Sequence, residues 1–222
     1  MSILNNLING ISLGSVYAII ALGYTMVYGA LHFINFANAE IFMCGAFIGA
    51  EVLIALLGAA AGGGWTVFAF AVALLAALVL TGLLGVFIER VAYRPLRSAP
   101  RLVPLISAFG VSYFLQDFVR VAETFAHNSF YLTLPSIFKR EFVLNEYTKV
   151  TVRAILIVGV CLAALAILYT FIHRTKVGSA IRCVSQNQTM SALLGIHVNK
   201  TITTTFFVGA AMGGVAGTMF AI

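Results

Sequence analysis

The sequence predicts an all-α fold, a polytopic integral membrane helix bundle with about six transmembrane helices. Three observations carry this. Of 222 residues, 61% are hydrophobic and only 9% are charged, whereas a soluble domain carries roughly 25% charged residues. The apolar residues gather into six stretches near the about 20 residues that a spanning helix needs. The 13 Lys and Arg residues lie almost entirely between those stretches. That is the pattern of orientation signals, so the net charge of +6 is not a nucleic-acid footprint and no nucleic-acid partner is expected.

The first span covers residues 11–31. No Lys or Arg precedes Arg90, so the start lacks the basic region of a signal peptide and is read as a retained span. Asn35, Phe36, Ala37, Asn38, Ala39 and Glu40 then interrupt the apolar run. Polar and broken segments survive in a bilayer only where protein or water satisfies them. Asn35 or Asn38 is placed to cap the second helix, with Glu40 at the positive end of its dipole. The same residues are candidates for a pathway lining or a gate. The second span, 41–58, is short unless this island extends it. Glu51 lies well inside it. A carboxylate there costs roughly 2.5–3.5 kcal/mol on insertion scales, so Glu51 is expected to face the bundle or a cavity, as a structural hydrogen bond or as part of the pathway. The remaining spans are 65–88, 103–119, 152–172 and 201–222. Asp117 and Arg120, three apart near the end of the fourth, are expected to pair on one helix face.

The connections set the orientation. Loop 89–102 carries Arg90, Arg94, Arg97 and Arg101, and loop 173–200 carries Arg174, Lys176, Arg182 and Lys200. Alternating spans put these eight on one side. Arg120, Lys139, Arg140, Lys149 and Arg153 fall on the other, with Glu123, Glu141 and Glu146 in the same long segment. The excess makes loops 89–102 and 173–200 cytoplasmic and the N-terminus external. Segment 120–151, with Pro135, is expected as an external lid.

Loop 173–200 has its own signal. Ile181, Val184, Met190, Leu193 and Leu194 recur at roughly helical spacing among polar residues, and Gly195 stands where a helix C-cap belongs. A short amphipathic helix on the cytoplasmic side must bury its apolar face on its own bundle, on lipid, or in a groove of a soluble partner. Glycines at four-residue spacing (Gly10 and Gly14; Gly45 and Gly49; Gly209, Gly213 and Gly217) predict close helix packing. Cys44, Cys161 and Cys183 form no C-x-x-C pair and are expected as small buried hydrophobes. The scattered histidines give no metal spacing, and no P-loop sequence is present. Gly10-Ile11-Ser12-Leu13-Gly14 fits G-x-S-x-G, but a nucleophile elbow needs a strand–turn–helix, so an intramembrane hydrolase using Ser12 is a minor reading. A secondary transporter with Glu40 or Glu51 as its ion site is another.

Several segments resemble the LivH-type permeases, the membrane subunits of branched-chain amino-acid ABC importers. They are Leu13-Gly14-Ser15-Val16-Tyr17-Ala18, Ala21-Leu22-Gly23-Tyr24-Thr25-Met26-Val27-Tyr28-Gly29 and Ile34-Asn35-Phe36-Ala37. Further on come Ile88-Glu89-Arg90-Val91-Ala92-Tyr93-Arg94-Pro95-Leu96-Arg97, Leu105-Ile106-Ser107-Ala108, Phe114-Leu115-Gln116 and Ala192-Leu193-Leu194-Gly195-Ile196. The family usually reads Asn-Phe-Ala-His-Gly-Glu at the island. Asn38 and Ala39 depart from that pattern, while Asn35 and Glu40 match it. The resemblance implies one permease domain over residues 1–222, with an ATPase-coupling loop at 173–200. It implies no catalysis by the chain and no cofactor of its own, with ATP used by partner subunits. The partners implied are a second related permease, two cytoplasmic ATP-binding subunits and a periplasmic or extracellular substrate-binding protein. The cargo implied is Leu, Ile or Val, with urea or short amides as the alternative, and the location is a bacterial inner membrane. Arg182, Met190, Leu193, Leu194, Gly195 and Ile196 become ATPase-interface candidates, and Asn35, Asn38, Glu40 and Glu51 pathway or gate candidates. Family members usually continue past the sixth span. The resemblance therefore implies a chain incomplete relative to the family, with Gly209, Gly213 and Gly217 left for later helices to cover.

Overall fold

The structure is a computed structural model, and it describes residues 3–31, 34–59, 63–97, 99–100, 102–127, 141–145 and 148–222. Its long helices are α1 (Ile3–Leu31), α2 (Asn38–Ala59), α3 (Gly63–Ile88), α4 (Leu102–His127), α5 (Val152–Arg174) and α8 (Val198–Ala221). Two short helices, α6 (Lys176–Gln186) and α7 (Gln188–Leu193), lie between α5 and α8. All six long helices have the length and apolar composition to cross a membrane. A short antiparallel pair, β1 (Glu141–Asn145) and β2 (Thr148–Thr151), precedes α5. It lies in the segment expected as a lid, of which Pro135 is outside the described residues.

Several boundaries differ from the sequence expectation. α1 begins before residue 11, because Asn5, Asn6 and Asn9 lie in helical turns that do not have to be apolar. α4 continues to His127, so Arg120 and Glu123 belong to a helix rather than to a loop. α3 passes without a break into a π-helical turn, Glu89–Tyr93, and a 3₁₀ turn, Arg94–Leu96. Most of the supposed loop 89–102 is therefore helical. The polar island extends α2 by one turn, starting at Asn38.

α8 is the axis of the bundle, packed chiefly against α3, α2 and α1. Every residue from Gly209 to Met219 is buried. Close approach explains the glycines. A Cβ on Gly23 of α1 would sit 2.7 Å from the carbonyl oxygen of Gly209, and one on Gly217 would sit 2.6 Å from the backbone nitrogen of Ala46 in α2. Gly45 and Gly49 meet Gly214 and Thr218 in the same seam. The stripe Gly209, Gly213 and Gly217 is thus covered by α1 and α2 of this chain, which corrects the expectation that it waits for later helices. A Cβ on Gly10 or Gly14 would meet nothing within 4 Å among the described residues, so their spacing forms no packing seam there.

Two apolar clusters lie along α8. One joins Val16, Ile19, Leu53, Phe70, Cys161, Leu168, Met212 and Met219. The other joins Val27, Ile41, Ile88, Tyr93, Leu115, Val184, Ile202 and Phe206 near the α6 end. Cys44 and Cys161 are buried as expected, whereas Cys183 is exposed on α6.

Candidate functional site at the end of the bundle that carries α6 and α7

The α1–α2 connection, the α3–α4 junction, α6, α7 and the start of α8 meet at one end of the bundle. Asn35 is the first organising residue. Its Oδ1 accepts the Ala37 N–H at 3.1 Å, and the Asn35 carbonyl accepts the Asn38 N–H at 3.3 Å. These bonds turn the chain into α2. The same Oδ1 accepts the Tyr93 hydroxyl at 2.6 Å, tying the island to the π-helical turn. Asn35 is 2% exposed, and its Nδ2 has no partner among the described residues.

Glu89 is the second. It is fully buried at the end of α3 and forms an ion pair with Arg97. The Thr203 hydroxyl lies 2.9 Å from Glu89 Oε2 and 2.9 Å from the Asn199 carbonyl, so its one proton serves one acceptor at a time. Arg97 Nη1 donates to Asn199 Oδ1 at 2.7 Å. Burial lowers the Arg97 pKa, while the Glu89 carboxylate opposes that shift. A buried pair with surrounding hydrogen bonds is strongly destabilised when one partner is lost. The cluster therefore links the α3–α4 junction to the first turns of α8.

α6 and α7 divide what the sequence suggested as one amphipathic face. Thr175 caps α6 by accepting the Gly178 N–H at 3.0 Å. Asn187 ends α6 and caps α7, its Oδ1 accepting the Met190 N–H at 3.0 Å. Ile181 and Val184 pack inward on the bundle. Met190, Leu193 and Leu194 point outward, and both leucines are 78% exposed. Gly195 takes φ +82°, a conformation that favours glycine at a helix C-terminus. The Ile196 N–H then donates to the Ser191 carbonyl at 3.0 Å, and the Ile196 side chain turns back onto the second apolar cluster. Arg182 is exposed and donates to Ser179 at 3.2 Å. Gln188 Nε2 donates to the Ala30 carbonyl at 2.9 Å, fastening α7 to the end of α1.

The other expected residues are spread out. Asn38 is buried in the first turn of α2. Glu40, one turn in, accepts the Ser112 hydroxyl of α4 at 3.0 Å, so its role is not only that of a charge at a helix terminus. Glu51 is half-buried further along α2, about 16 Å from Glu40 by helical rise. Ser12 lies within α1 and donates to the Ile8 carbonyl at 3.1 Å, without the strand–turn geometry of a nucleophile elbow.

Reasoning from sequence did not single out Glu89, Tyr93, Arg97, Asn199 or Thr203 as a cluster. Glu89, directly after an apolar span and eight residues before Arg97, was the available signal. Among the described residues, this cluster sets no nucleophile beside a base. Asn199 and Thr203 link the start of α8 to the α3–α4 junction, and Tyr93 links that junction to the entry of α2.

Six spanning-length helices, a polar cluster buried at one end and an apolar tip beside it have the build of a membrane transport subunit. The chain belongs to the family described as branched-chain amino acid transport system / permease component, whose model matches residues 6–222. It is similar to the high-affinity branched-chain amino acid transport system permease protein LivH of Escherichia coli (strain K12), 39% identical over 221 residues, spanning 97% of this chain and 70% of the relative. LivH of Salmonella typhimurium is 38% identical over 221 residues, with the same two shares. BraD of Pseudomonas aeruginosa, named as a permease of the same kind of system, is 39% identical over 222 residues, again 97% and 70%. No solved structure matches the chain.

Proposed function

We propose that this chain is a permease subunit of an ABC importer that moves branched-chain amino acids across a bacterial inner membrane. In this reading it pairs with a second related permease, takes cargo from an external binding protein and is driven by two cytoplasmic ATPases. The N-terminus is outside, and α6, α7 and the α3–α4 junction face the cytoplasm, in line with the Arg and Lys excess there. Asn38, Glu40 and Glu51 border the pathway or its gate.

The observation that carries the reading is the outward display of Met190, Leu193 and Leu194 beside the buried Glu89 cluster. Large apolar side chains at a helix tip beyond the spans gain stability when a groove covers them. The relatives' names supply the cargo.

The test is the double substitution Leu193→Asp and Leu194→Asp in the assembled transporter. Burying an unpaired charge is strongly unfavourable, so the ATPases should be lost on purification while the permease still inserts. ATP-dependent leucine uptake by proteoliposomes should vanish with them. Unaltered co-purification would remove these side chains as the anchor, and uptake of urea instead of leucine would overturn the cargo.

A further inference from the structure

Two unused hydrogen-bond donors lie beside one irregular turn. Among the described residues, Asn35 Nδ2 and Arg97 Nε are buried and have no partner. Both side chains are tied to the π-helical turn Glu89–Tyr93, Asn35 through the Tyr93 hydroxyl and Arg97 through the Glu89 carboxylate. A buried donor without an acceptor is costly, and native structures hold few of them. The Thr203 hydroxyl adds a third sign, because its single proton has two acceptors in reach, Glu89 Oε2 and the Asn199 carbonyl. The hydrogen-bonding capacity of this junction is therefore only partly used in the arrangement observed.

The turn has the means to rewind. Ile88 and Arg94, on either side of it, both hold right-handed helical angles, φ −59° with ψ −44° and φ −58° with ψ −43°. A change from the wide hydrogen-bond pattern to the α-helical one takes neither residue out of the helical region. Pro95, exposed in the 3₁₀ turn that follows, opposes that change. In a continuous α-helix its ring would meet the carbonyl four residues back, at Val91. One winding leaves donors unpaired and the other crowds Pro95, so neither is free of cost. Elements with two discrete arrangements are the ones that carry coupling between separated sites.

We propose that Glu89–Tyr93 is a reversible switch. When it rewinds to α-helical pitch, Tyr93 leaves Asn35 and Arg97 leaves Asn199, so the entry of α2 and the start of α8 are released in one step. The start of α8 follows directly on α7, which Gln188 fastens to the end of α1. The switch rests on the importer reading above: nucleotide binding at the ATPases that hold α7 selects between the two windings.

The experiment uses the complete transporter in a background without the native thiols, with nitroxide labels at Arg94 and Lys200, both exposed. Arg94 gives the turn its backbone N–H, which labelling keeps, and rewinding carries the label about 100° around the helix axis. Pulsed electron paramagnetic resonance should find the distance between the labels shifted between the nucleotide-free transporter and one trapped with ATP and vanadate. Pro95→Ala removes the obstacle to α-helical pitch, so it should enrich the same distance component in both states. An unshifted distance in a transporter that takes up leucine on ATP overturns the switch and leaves the importer reading intact. A shift whose components Pro95→Ala does not alter also overturns it, because the helices then move without rewinding. If that variant fails to assemble, backbone hydrogen exchange at residues 89–97 of the wild-type complex decides: exchange that differs between the two states supports the switch, and equal exchange overturns it. If the wild-type complex shows no ATP-dependent leucine uptake, the importer reading fails and takes the switch with it.

Discussion

α5 and α8 have nearly the same length, 23 and 24 residues, and opposite environments. The spanning part of α8 is 72% buried in the protein and that of α5 only 11%. Their hydropathy runs the other way: α5 is the most apolar of the six spans and α8 the least. In a soluble protein the most apolar helix goes to the centre. Here lipid is as apolar as leucine, so apolarity gives no preference for the interior, and close packing decides. α8 has Gly209, Gly213, Gly214 and Gly217 for approach. Thr201, Thr205 and Thr218 return their hydroxyls to carbonyls one turn back, at 3.1, 2.9 and 3.0 Å. Burying these hydroxyls therefore leaves no donor unsatisfied. α5 turns Ile155, Leu162, Leu165, Ile167 and Tyr169 outward.

Substitutions can break this contrast, beginning with the anchor of α8. Glu89→Ala leaves the half-buried Arg97 without its carboxylate and leaves Thr203 only the Asn199 carbonyl, so a loss of about 3 kcal/mol, the low end for a buried pair, is expected. The thermal midpoint of the detergent-solubilised protein should drop by many degrees, and an unchanged midpoint would mean that the pair does not hold α8. Next comes Gly217→Leu, which drives a side chain into the Phe42 carbonyl and the backbone of α2. Overpacking of this kind costs about 1–3 kcal/mol. Gly14→Leu, with open space around it, should leave the midpoint where it was. Equal effects at 14 and 217 would dissolve the distinction between packed and lipid-facing glycines.

Tyr93→Phe is a smaller change. It removes one hydrogen bond to Asn35, worth about 1 kcal/mol, and should move the midpoint by a few degrees at most. The smallest effect belongs to α5. Leu162→Ala should fall within about ±0.5 kcal/mol, as for surface positions, although a buried leucine typically loses 2–5 kcal/mol on truncation. A loss in the buried range would place α5 inside a larger assembly.

The sequence made the six spans legible because each needs only length and apolarity, and both survive any packing arrangement. It also separated Glu40 and Asn35 from their surroundings, since polar residues are rare there. The order of burial was not legible, because apolar content anticorrelates with it in these two helices. Glycine spacing was ambiguous for the same reason: Gly10 and Gly14 match the pattern as well as Gly45 and Gly49 do. The buried cluster escaped because Glu89 and Arg97 look like ordinary loop charges until α8 brings Asn199 and Thr203 beside them, more than a hundred positions along the chain. The Ile181–Leu194 face was correct in residue type, but Asn187, as a cap, split it into an inward half and an outward half.

α3 does not stop where its apolar residues stop. In the turn that follows, the Arg94 N–H reaches back to the Glu89 carbonyl, five positions rather than four. This winding holds one residue more than an α-helix would, and one residue is about 100° of rotation. The extra residue sets the phase between two stretches of the same polypeptide, one turned toward α8 through Gly85 and the other presenting Arg97 to Asn199. Let the turn relax to α-helical pitch with all five residues of 89–93 kept, and the guanidinium swings about a quarter of a circle away from its partners while the body of α3 stays in place; removing one of those residues at the same time would restore the phase. The two stretches are geared together by a single supernumerary tooth.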